Sequence, residues 1–217
     1  MNFVFEQIST GGDRNFGYLV GDREAGLAAV VDPGYDPGAI LERADAQGLE
    51  IGMIVNTHGH ADHTAGNDTV REHTVAPLVA HVDAAAGPDV PIEDGDTVEL
   101  GALTLAFLHV PGHAPDHLLI RVAEHGVALT GDLLFVGKIG GTSGREDARA
   151  EYESLRRVLE LLPDETTVWP GHDYGCRPSS TIGLERATNP FLRCDDFEAF
   201  LELKRSWATF KSEHGLV

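Results

Sequence analysis

The segment His58-Gly59-His60-Ala61-Asp62-His63 carries three histidines and one aspartate within six residues. It follows the continuous apolar run Ile51-Gly52-Met53-Ile54-Val55, which is typical of a buried strand. Three imidazoles and a carboxylate in one turn would repel one another, or be buried to no advantage, unless a positive charge held them together. Imidazole and carboxylate are ligands of first-row divalent metals. The segment therefore predicts a metal site just past the C-terminal end of a strand.

The spacing within this segment indicates that its four side chains divide into two pairs. His58 and His60 are two residues apart, which places both side chains on one side of an extended backbone. Asp62 and His63 begin the next turn and are expected to face a different metal position.

Three further candidate ligands lie downstream, each after a strand-like run and each in a turn that contains glycine. Glycine allows the backbone to approach a site closely. The three turns are Pro111-Gly112-His113, Thr130-Gly131-Asp132 and Pro170-Gly171-His172. Together with the first segment they make seven ligands, which exceeds the four of a structural zinc site and suits two metals that share one bridging carboxylate.

This constellation closely resembles the metallo-β-lactamase superfamily, whose signature is H-x-H-x-D-H followed by His, Asp and His at later strand ends. The resemblance implies an α+β fold, the four-layer αββα sandwich, with the metals at the sheet edges. It further implies that metal 1 is bound by His58, His60 and His113, that metal 2 is bound by Asp62, His63 and His172, and that Asp132 bridges them.

The length of 217 residues suits one sizeable domain and leaves little room for a second core. We therefore expect a single metallo-β-lactamase-fold domain over 1–217, with a short C-terminal helical extension from about 180 to 217. Strand-like runs over 3–8, 16–20 and 27–32 indicate an antiparallel start. Helical periodicity is expected over 146–162 and 195–211.

The net charge of −19, from 16 basic and 35 acidic residues, argues against nucleic acid and anionic membranes as partners. The start of the chain has no basic segment followed by an apolar one, and no run of about 18 apolar residues occurs. We therefore expect a cytoplasmic protein whose partner is a small-molecule substrate. Cys176 and Cys194 are expected to be free thiols. Monomer and homodimer both remain open.

Within the superfamily, three segments resemble glyoxalase II (hydroxyacylglutathione hydrolase) and the related persulfide dioxygenases. These segments are Thr130-Gly-Asp-Leu-Leu-Phe135, Pro170-Gly-His-Asp-Tyr174 and Thr188-Asn-Pro-Phe-Leu192. Both relatives act on thiol derivatives of glutathione, so the resemblance implies a glutathione or other thiol derivative as substrate.

The first hypothesis is a metal-dependent hydrolase of a thioester or small ester, in which a metal-bound hydroxide attacks the carbonyl carbon. Two divalent metals would be required, zinc first, with iron or manganese as alternatives. Asp132 would bridge the metals and Asp62 would orient the hydroxide. A leaving thiolate, whose thiol has a pKa of about 8.5, hardly needs a general acid.

Two alternatives stay open. The first is a mononuclear non-haem Fe(II) persulfide dioxygenase that uses only His60, His113 and Asp132, a two-histidine, one-carboxylate ligand set. The second is a non-catalytic metal-binding domain. Such a domain would tolerate the loss of ligands, whereas all seven are present here.

The chain departs from both relatives after Phe135, where a Gly-Cys-Gly-Arg-like segment that helps to hold glutathione is replaced by Val136 to Gly144. Lys138 or Arg145 is a candidate replacement contact for an anionic substrate, although each also fits a solvated charge. Tyr174, beside His172, is a candidate pocket residue or a packed aromatic.

Overall fold

Two six-stranded sheets form the centre of the computed structural model, which describes residues 2–214. The first sheet begins with an antiparallel meander, as the sequence predicts, and continues with three parallel pairings. Its strands in spatial order are β1 (Phe3–Ser9), β2 (Phe16–Asp22), β3 (Leu27–Val31), β4 (Glu50–Val55), β5 (Leu78–His81) and β6 (Val90–Ile92).

The second sheet is antiparallel except for one pairing, in which β10 and β13 run parallel. Its strands in spatial order are β14 (Ser180–Thr181), β13 (Thr167–Pro170), β10 (Val127–Gly131), β9 (Leu118–Val122), β8 (Leu103–His109) and β7 (Thr97–Leu100). A separate hairpin joins β11 (Leu134–Phe135) to β12 (Lys138–Ile139).

Residues 2–214 form six α-helices. They are α1 (Pro37–Gln47), α2 (Ala61–Thr64), α3 (Asn67–Thr74), α4 (Arg145–Leu161), α5 (Ile182–Thr188) and α6 (Phe197–His214). The helix α1 ends at Gly48, which adopts the left-handed conformation (φ 67°) that favours glycine at this position. No helix within residues 2–214 is both long enough and apolar enough to cross a membrane.

Three clusters of buried apolar side chains define four layers. The central cluster fills the space between the sheets, with Val20 and Val55 from the first sheet against Phe107 and Ile120 from the second. A second cluster buries α1 and α3 on the outer face of the first sheet, and a third buries α4, α5 and α6 on the outer face of the second. The predicted αββα sandwich is thus confirmed.

The topology brings the predicted ligand segments to one edge of the sandwich. The strands β10 and β13 are parallel neighbours, with Gly131 paired to Pro170, so the turns that follow them lie side by side. The turn after β4 joins them because the Thr57 carbonyl accepts a hydrogen bond from the Leu118 amide, at 2.7 Å, at the start of β9.

Candidate metal centre

The seven predicted ligand side chains meet at this edge. We call His58, His60 and His113 the first ligand group, and Asp62, His63 and His172 the second; within each group the ligand atoms lie within 4.8 Å of one another. Asp132 lies between the groups. One of its oxygens, Oδ2, is 3.5 Å from Nε2 of His113 and 3.3 Å from Nε2 of His172, and Oδ1 is 3.4 Å from Nε2 of His63. One carboxylate thus faces both groups, and the ligand atoms of His58, His63 and Asp132 also lie within 4.8 Å of one another.

Four of the histidines are oriented by a hydrogen bond from the ring nitrogen that faces away from the centre. Such contacts select the tautomer and leave the other nitrogen free to bind a metal. The Nδ1 donors and their acceptors are His58 to Thr57 Oγ1 (3.1 Å), His63 to Asp32 Oδ2 (3.0 Å), His113 to the Gly141 carbonyl (2.9 Å) and His172 to the Asp13 carbonyl (2.9 Å). In all four residues Nε2 therefore points into the centre, where it can bind a metal when the ring is neutral.

The first ligand group has more lone pairs than protons to satisfy them. Nε2 of His58 and Nε2 of His113 lie 3.0 and 2.9 Å from Nδ1 of His60. This Nδ1 carries at most one proton, which serves only one of the two acceptors. A cation at the point where the three nitrogens converge would satisfy them all, so the donor set fits a metal.

Two buried polar atoms, one on His63 of the second ligand group and one on Asp132, face each other at 3.4 Å. Among residues 2–214, neither Nε2 of His63 nor Oδ1 of Asp132 has a hydrogen-bond partner, although both atoms are buried. Unpaired buried polar groups are costly, and each that persists requires an explanation. A divalent cation bound between the imidazole of His63 and the carboxylate of Asp132 would contact both atoms and so explain why they are buried.

The charges around the centre set different protonation states for its members. Burial alone would lower the pKa of His63 and of His172, but Asp32 raises that of His63 well above 6.5 and Asp132 raises that of His172, so these two rings give up a proton when a metal binds. Burial lowers the pKa of His58 well below 6.5, and the neighbouring His117 adds to this effect, so the ring is neutral. Burial alone would raise the pKa of Asp132, but the imidazoles of His172 and His63 outweigh it and hold the pKa well below 3.8. A neutral imidazole and an ionised carboxylate are the forms that bind metals.

The histidine segment is supported by Asp32, Thr57 and Asn15, none of which sequence reasoning assigned to the site. Asp32, buried and in the left-handed region (φ 48°), accepts hydrogen bonds from the Thr57 amide (2.8 Å) and the Thr57 hydroxyl (2.6 Å) as well as from His63. Asn15 donates to Oδ2 of Asp62 at 2.8 Å. Asp32 begins the Asp-Pro-Gly sequence after β3, and this sequence by itself predicts only a turn.

His117, four residues after His113, lies directly behind the ligands. Its ring is fully buried and stacks on the ring of His58, with centroids 4.9 Å apart. Burial lowers the pKa of His117 to about 3, so the ring is neutral and its Nε2 accepts a hydrogen bond from the Asp132 amide at 3.0 Å. His117 thereby supports the backbone of the residue that faces both groups.

A cavity of about 460 Å³ lies between the helix α6 and the loop that contains Gly140 and Gly141, and the carbonyl of Gly141 contacts His113. Four basic side chains line it, which contrasts with the net charge of −19 for the whole chain. They are Lys138, Arg145, Lys204 and Arg205. Trp207 contributes an apolar surface to the same wall. The cavity suits a ligand that is both anionic and partly apolar.

The three predicted substrate contacts occupy different environments. The ring of Tyr174 stacks on the ring of His172 (centroids 4.6 Å apart), and its hydroxyl donates to Oδ2 of Asp13 at 2.7 Å. Nζ of Lys138 lies 4.2 Å from the centroid of the Tyr174 ring. Arg145 lines the cavity but pairs with Glu198 on α6. Lys138 and Tyr174 thus border the metal centre, whereas the charge of Arg145 is already partnered.

Known proteins are similar to this chain in sequence and in fold. Hydroxyacylglutathione hydrolase from Polaromonas sp. is 38% identical over 177 residues, which cover 79% of this chain and 67% of that enzyme. Human mitochondrial persulfide dioxygenase ETHE1 is 34% identical over 208 residues, which cover 89% of this chain and 77% of that enzyme. The crystal structure of ETHE1 from Myxococcus xanthus superposes with a TM-score of 0.87 at 32% identity, covering 94% of this chain and 91% of that one.

The sequence model of the metallo-β-lactamase superfamily matches residues 10–88 and 83–172, a span that contains all seven predicted ligands. The family resemblance predicted from the ligand order is therefore confirmed. The chain belongs to the metallo-β-lactamase superfamily and is an enzyme of that superfamily.

Proposed function

We propose that the protein is a two-metal hydrolase that cleaves a thioester or small ester of a thiol compound. The observation that carries this proposal is the presence of two complete ligand groups with Asp132 between them. The first metal would be held by His58, His60 and His113, the second by Asp62, His63 and His172, and Asp132 would contact both. Zinc fits this mixture of imidazole and carboxylate ligands, and iron or manganese is an alternative.

When bound, the metals supply a Lewis acid for the carbonyl oxygen and a water made nucleophilic near neutral pH. Attack of a water oxygen on the carbonyl carbon would break the carbon–sulfur bond and release a carboxylate and a thiolate, and the two protons of the water would pass to solvent. Asp62, held by Asn15, would accept a hydrogen bond from the attacking water and orient it. No protein group has to protonate the leaving sulfur, because a thiol with a pKa of about 8.5 has a conjugate thiolate that is stable enough to leave unprotonated.

The substrate class follows from the basic cavity. A chain with a net charge of −19 repels anions at long range, so an anionic substrate requires local attraction. Lys138 and Arg205 supply positive charge to the cavity, which shares the Gly140–Gly141 loop with His113. We infer a thiol compound with a carboxylate-bearing tail, and glutathione is one such compound. Residues 1–217 would act as one domain, in which the segment from about 180 onward provides a wall of the cavity.

A second candidate is a persulfide dioxygenase with one Fe(II) at His60, His113 and Asp132. Its support is the likeness in fold to the Myxococcus enzyme and the identity with the human dioxygenase. In that case Asp62, His63 and His172 would hold no metal and would form hydrogen bonds around the open positions of the iron.

Metal analysis of protein expressed without added metal, combined with two assays, separates the candidates. About two metals per chain together with hydrolysis of an acyl-glutathione thioester would support the hydrolase. One iron per chain with oxygen uptake on glutathione persulfide would overturn the hydrolase proposal and support the dioxygenase.

A further inference from the structure

The helix α4 buries a carboxylate on its apolar face. Glu151 is 0% exposed and lies on the same face as Ala148, Leu155 and Val158. Burial raises its pKa to about 8, even though Lys204 acts in the opposite direction. A buried charge is expensive, and a buried ion pair often stabilises a fold no better than apolar side chains of similar volume. Stability alone therefore does not explain why an acidic residue occupies this position.

Glu151 is joined to Lys204, which enters from α6. Oε2 of Glu151 accepts a hydrogen bond from Nζ of Lys204, whereas Oε1 has no hydrogen-bond partner among the described residues. The Lys204 side chain is only 11% exposed. Its Nζ donates a second hydrogen bond, of 2.9 Å, to the carbonyl oxygen of Gly140. The pair thus connects two helices to one loop.

This loop determines the orientation of His113. The carbonyl of Gly141, the next residue, accepts the hydrogen bond from Nδ1 of His113. The backbone of Gly140 passes so close to the centre that a Cβ atom there would lie 3.0 Å from Nδ1 of His113 and would overlap the carbonyl oxygen of Asp132. A shift of the loop would therefore move the His113 ring or release its hydrogen bond.

Glu151 also restrains His113 from the other side. Gly112, which precedes His113, packs against the backbone of Glu151 so tightly that a Cβ atom on Gly112 would overlap Cβ of Glu151. The contacts close a ring that runs from Glu151 through Lys204, the Gly140–Gly141 loop and His113 back to Gly112. The Gly140–Gly141 loop that orients His113 also lines the basic cavity.

We propose that Lys204 and Glu151 are positioning residues for His113, which hold its ring and its Nδ1-protonated tautomer through the carbonyl groups of Gly140 and Gly141. This inference rests on the proposed role of His113 as a metal ligand. It gives the C-terminal helix α6 a function in the metal centre as well as in the wall of the cavity.

The test compares three variants of the full chain: Lys204→Met, the double variant Glu151→Met with Lys204→Met, and the control Arg205→Met. Arg205 lines the same cavity and has no ion-pair partner among residues 2–214. Zinc affinity is measured by competition with a chromophoric chelator, and thermal unfolding is recorded in parallel. The double variant removes the cost of an unpaired buried carboxylate, so it remains informative where Lys204→Met alone fails to fold.

We expect the double variant to unfold at close to the parent temperature yet to bind one of its two zinc equivalents about 10- to 100-fold more weakly, since contacts behind a metal ligand contribute on this scale. Arg205→Met should bind both zinc ions within about twofold of the parent. Parent-like zinc affinity in the double variant would overturn the proposal. An equal loss in Arg205→Met would also overturn it, because the charge of the cavity would then be the cause.

A second readout does not depend on metal. In the metal-free parent, long-range ¹H–¹⁵N correlation spectra should show His113 as the Nδ1-protonated tautomer, and the double variant should show a mixture of both tautomers. An unchanged tautomer in the double variant would disprove the positioning role. Failure of the parent to bind zinc would instead count against the proposed function, so the two failures are distinguishable.

Discussion

The candidate metal centre is built from two regions of different construction. The histidine segment, residues 58–63, supplies four of the seven proposed ligand side chains from one turn after β4, and it is supported largely by Asp32. The other three, His113, Asp132 and His172, follow three different strands. Each has its own support from a distant residue, namely Gly141, His117 and Asp13. Ligands that are close in sequence share one anchor, whereas ligands brought together by the fold each need a separate one.

The sharpest test of this difference is Asp132→Ala in the second region. Because the Asp132 oxygens face both ligand groups, we expect loss of both metals and no detectable turnover with either substrate. Asp62→Ala is the matched change in the histidine segment, and it should cost only the metal of the second ligand group. Metal content and turnover are measured on the same samples. Retained turnover in Asp132→Ala would refute the site assignment.

The loop that supports His113 can be disturbed by one methyl group. In Gly140→Ala the new Cβ would overlap the Asp132 carbonyl oxygen, a backbone atom that cannot move aside easily. We expect a loss of about 1–3 kcal/mol in the free energy of unfolding, as for other overpacked positions, together with weaker metal binding. Urea denaturation measures the first and chelator competition the second.

The neighbouring glycine provides the control for this substitution. A Cβ atom on Gly141 would have no heavy atom within 4 Å, so Gly141→Ala should leave stability and metal affinity close to those of the parent. Equal effects of the two substitutions would show that the approach of Gly140 to Asp132 is not what makes the loop sensitive.

The anchor of the histidine segment is tested by Asp32→Asn, which removes the charge beneath His63 and keeps the side-chain shape. We expect metal affinity to fall about 10- to 100-fold, because a carboxylate behind a ligating imidazole orients the ring and raises its basicity. Chelator competition at pH 7 measures the change. Asp22→Asn is the control, since Asp22 is also buried but accepts hydrogen bonds from backbone amides far from the centre. A loss of metal affinity in that control would contradict the local role of Asp32.

The smallest effect is expected at the outermost support of the second region. Asp94 accepts hydrogen bonds from Arg157 on α4 and from the His109 amide at the end of β8. The Asp94 side chain is 45% exposed, so Asp94→Asn should lower the free energy of unfolding by about 0–1 kcal/mol at pH 7.

The pH dependence of this small effect has a definite sign. The hydrogen bond from Arg157 lowers the pKa of Asp94 below 3.8, so the unfolded chain takes up this proton at a higher pH than the folded chain does. The stabilisation is present above pH 3.8 and is lost as the pH falls through the lower folded pKa. Urea denaturation of metal-free parent and Asp94→Asn should give the same difference at pH 7 and pH 4.5, and a smaller one below pH 3.8. A difference that already shrinks between pH 7 and pH 5 would contradict this assignment.

Much of the fold and of the candidate centre can be predicted from local patterns. The helices α4 and α6 carry clear periodicity, and their bounds agree with the expectation within a few residues. The strands β6, β11, β12 and β14 have two or three residues each, which is too few for a hydrophobic period to be detected. The turn that carries Asp62 and His63 forms the separate short helix α2.

The supports of the centre could not be predicted in the same way. Glu151 stands in a charged stretch of α4, where the sequence alone favours a solvated carboxylate, yet the packing of α6 buries it against Lys204. Lys138 and Arg145 are equivalent candidates in the sequence, and only the position of Glu198 separates them. In the sequence Asp32 is only part of a predicted turn, and its hydrogen bond to His63 is evident only in the folded structure.

The chemistry and the order of the ligands follow from the chain alone, because imidazole and carboxylate groups at strand ends have few other uses at such density. The local density of residues 58–63 is likewise a property of the covalent chain. The tautomers, the supports behind each ligand and the basic cavity depend on the packed fold. Each of these requires atoms from segments far apart in sequence to come within hydrogen-bond distance, and only the packing of two sheets and the helix α6 brings them there.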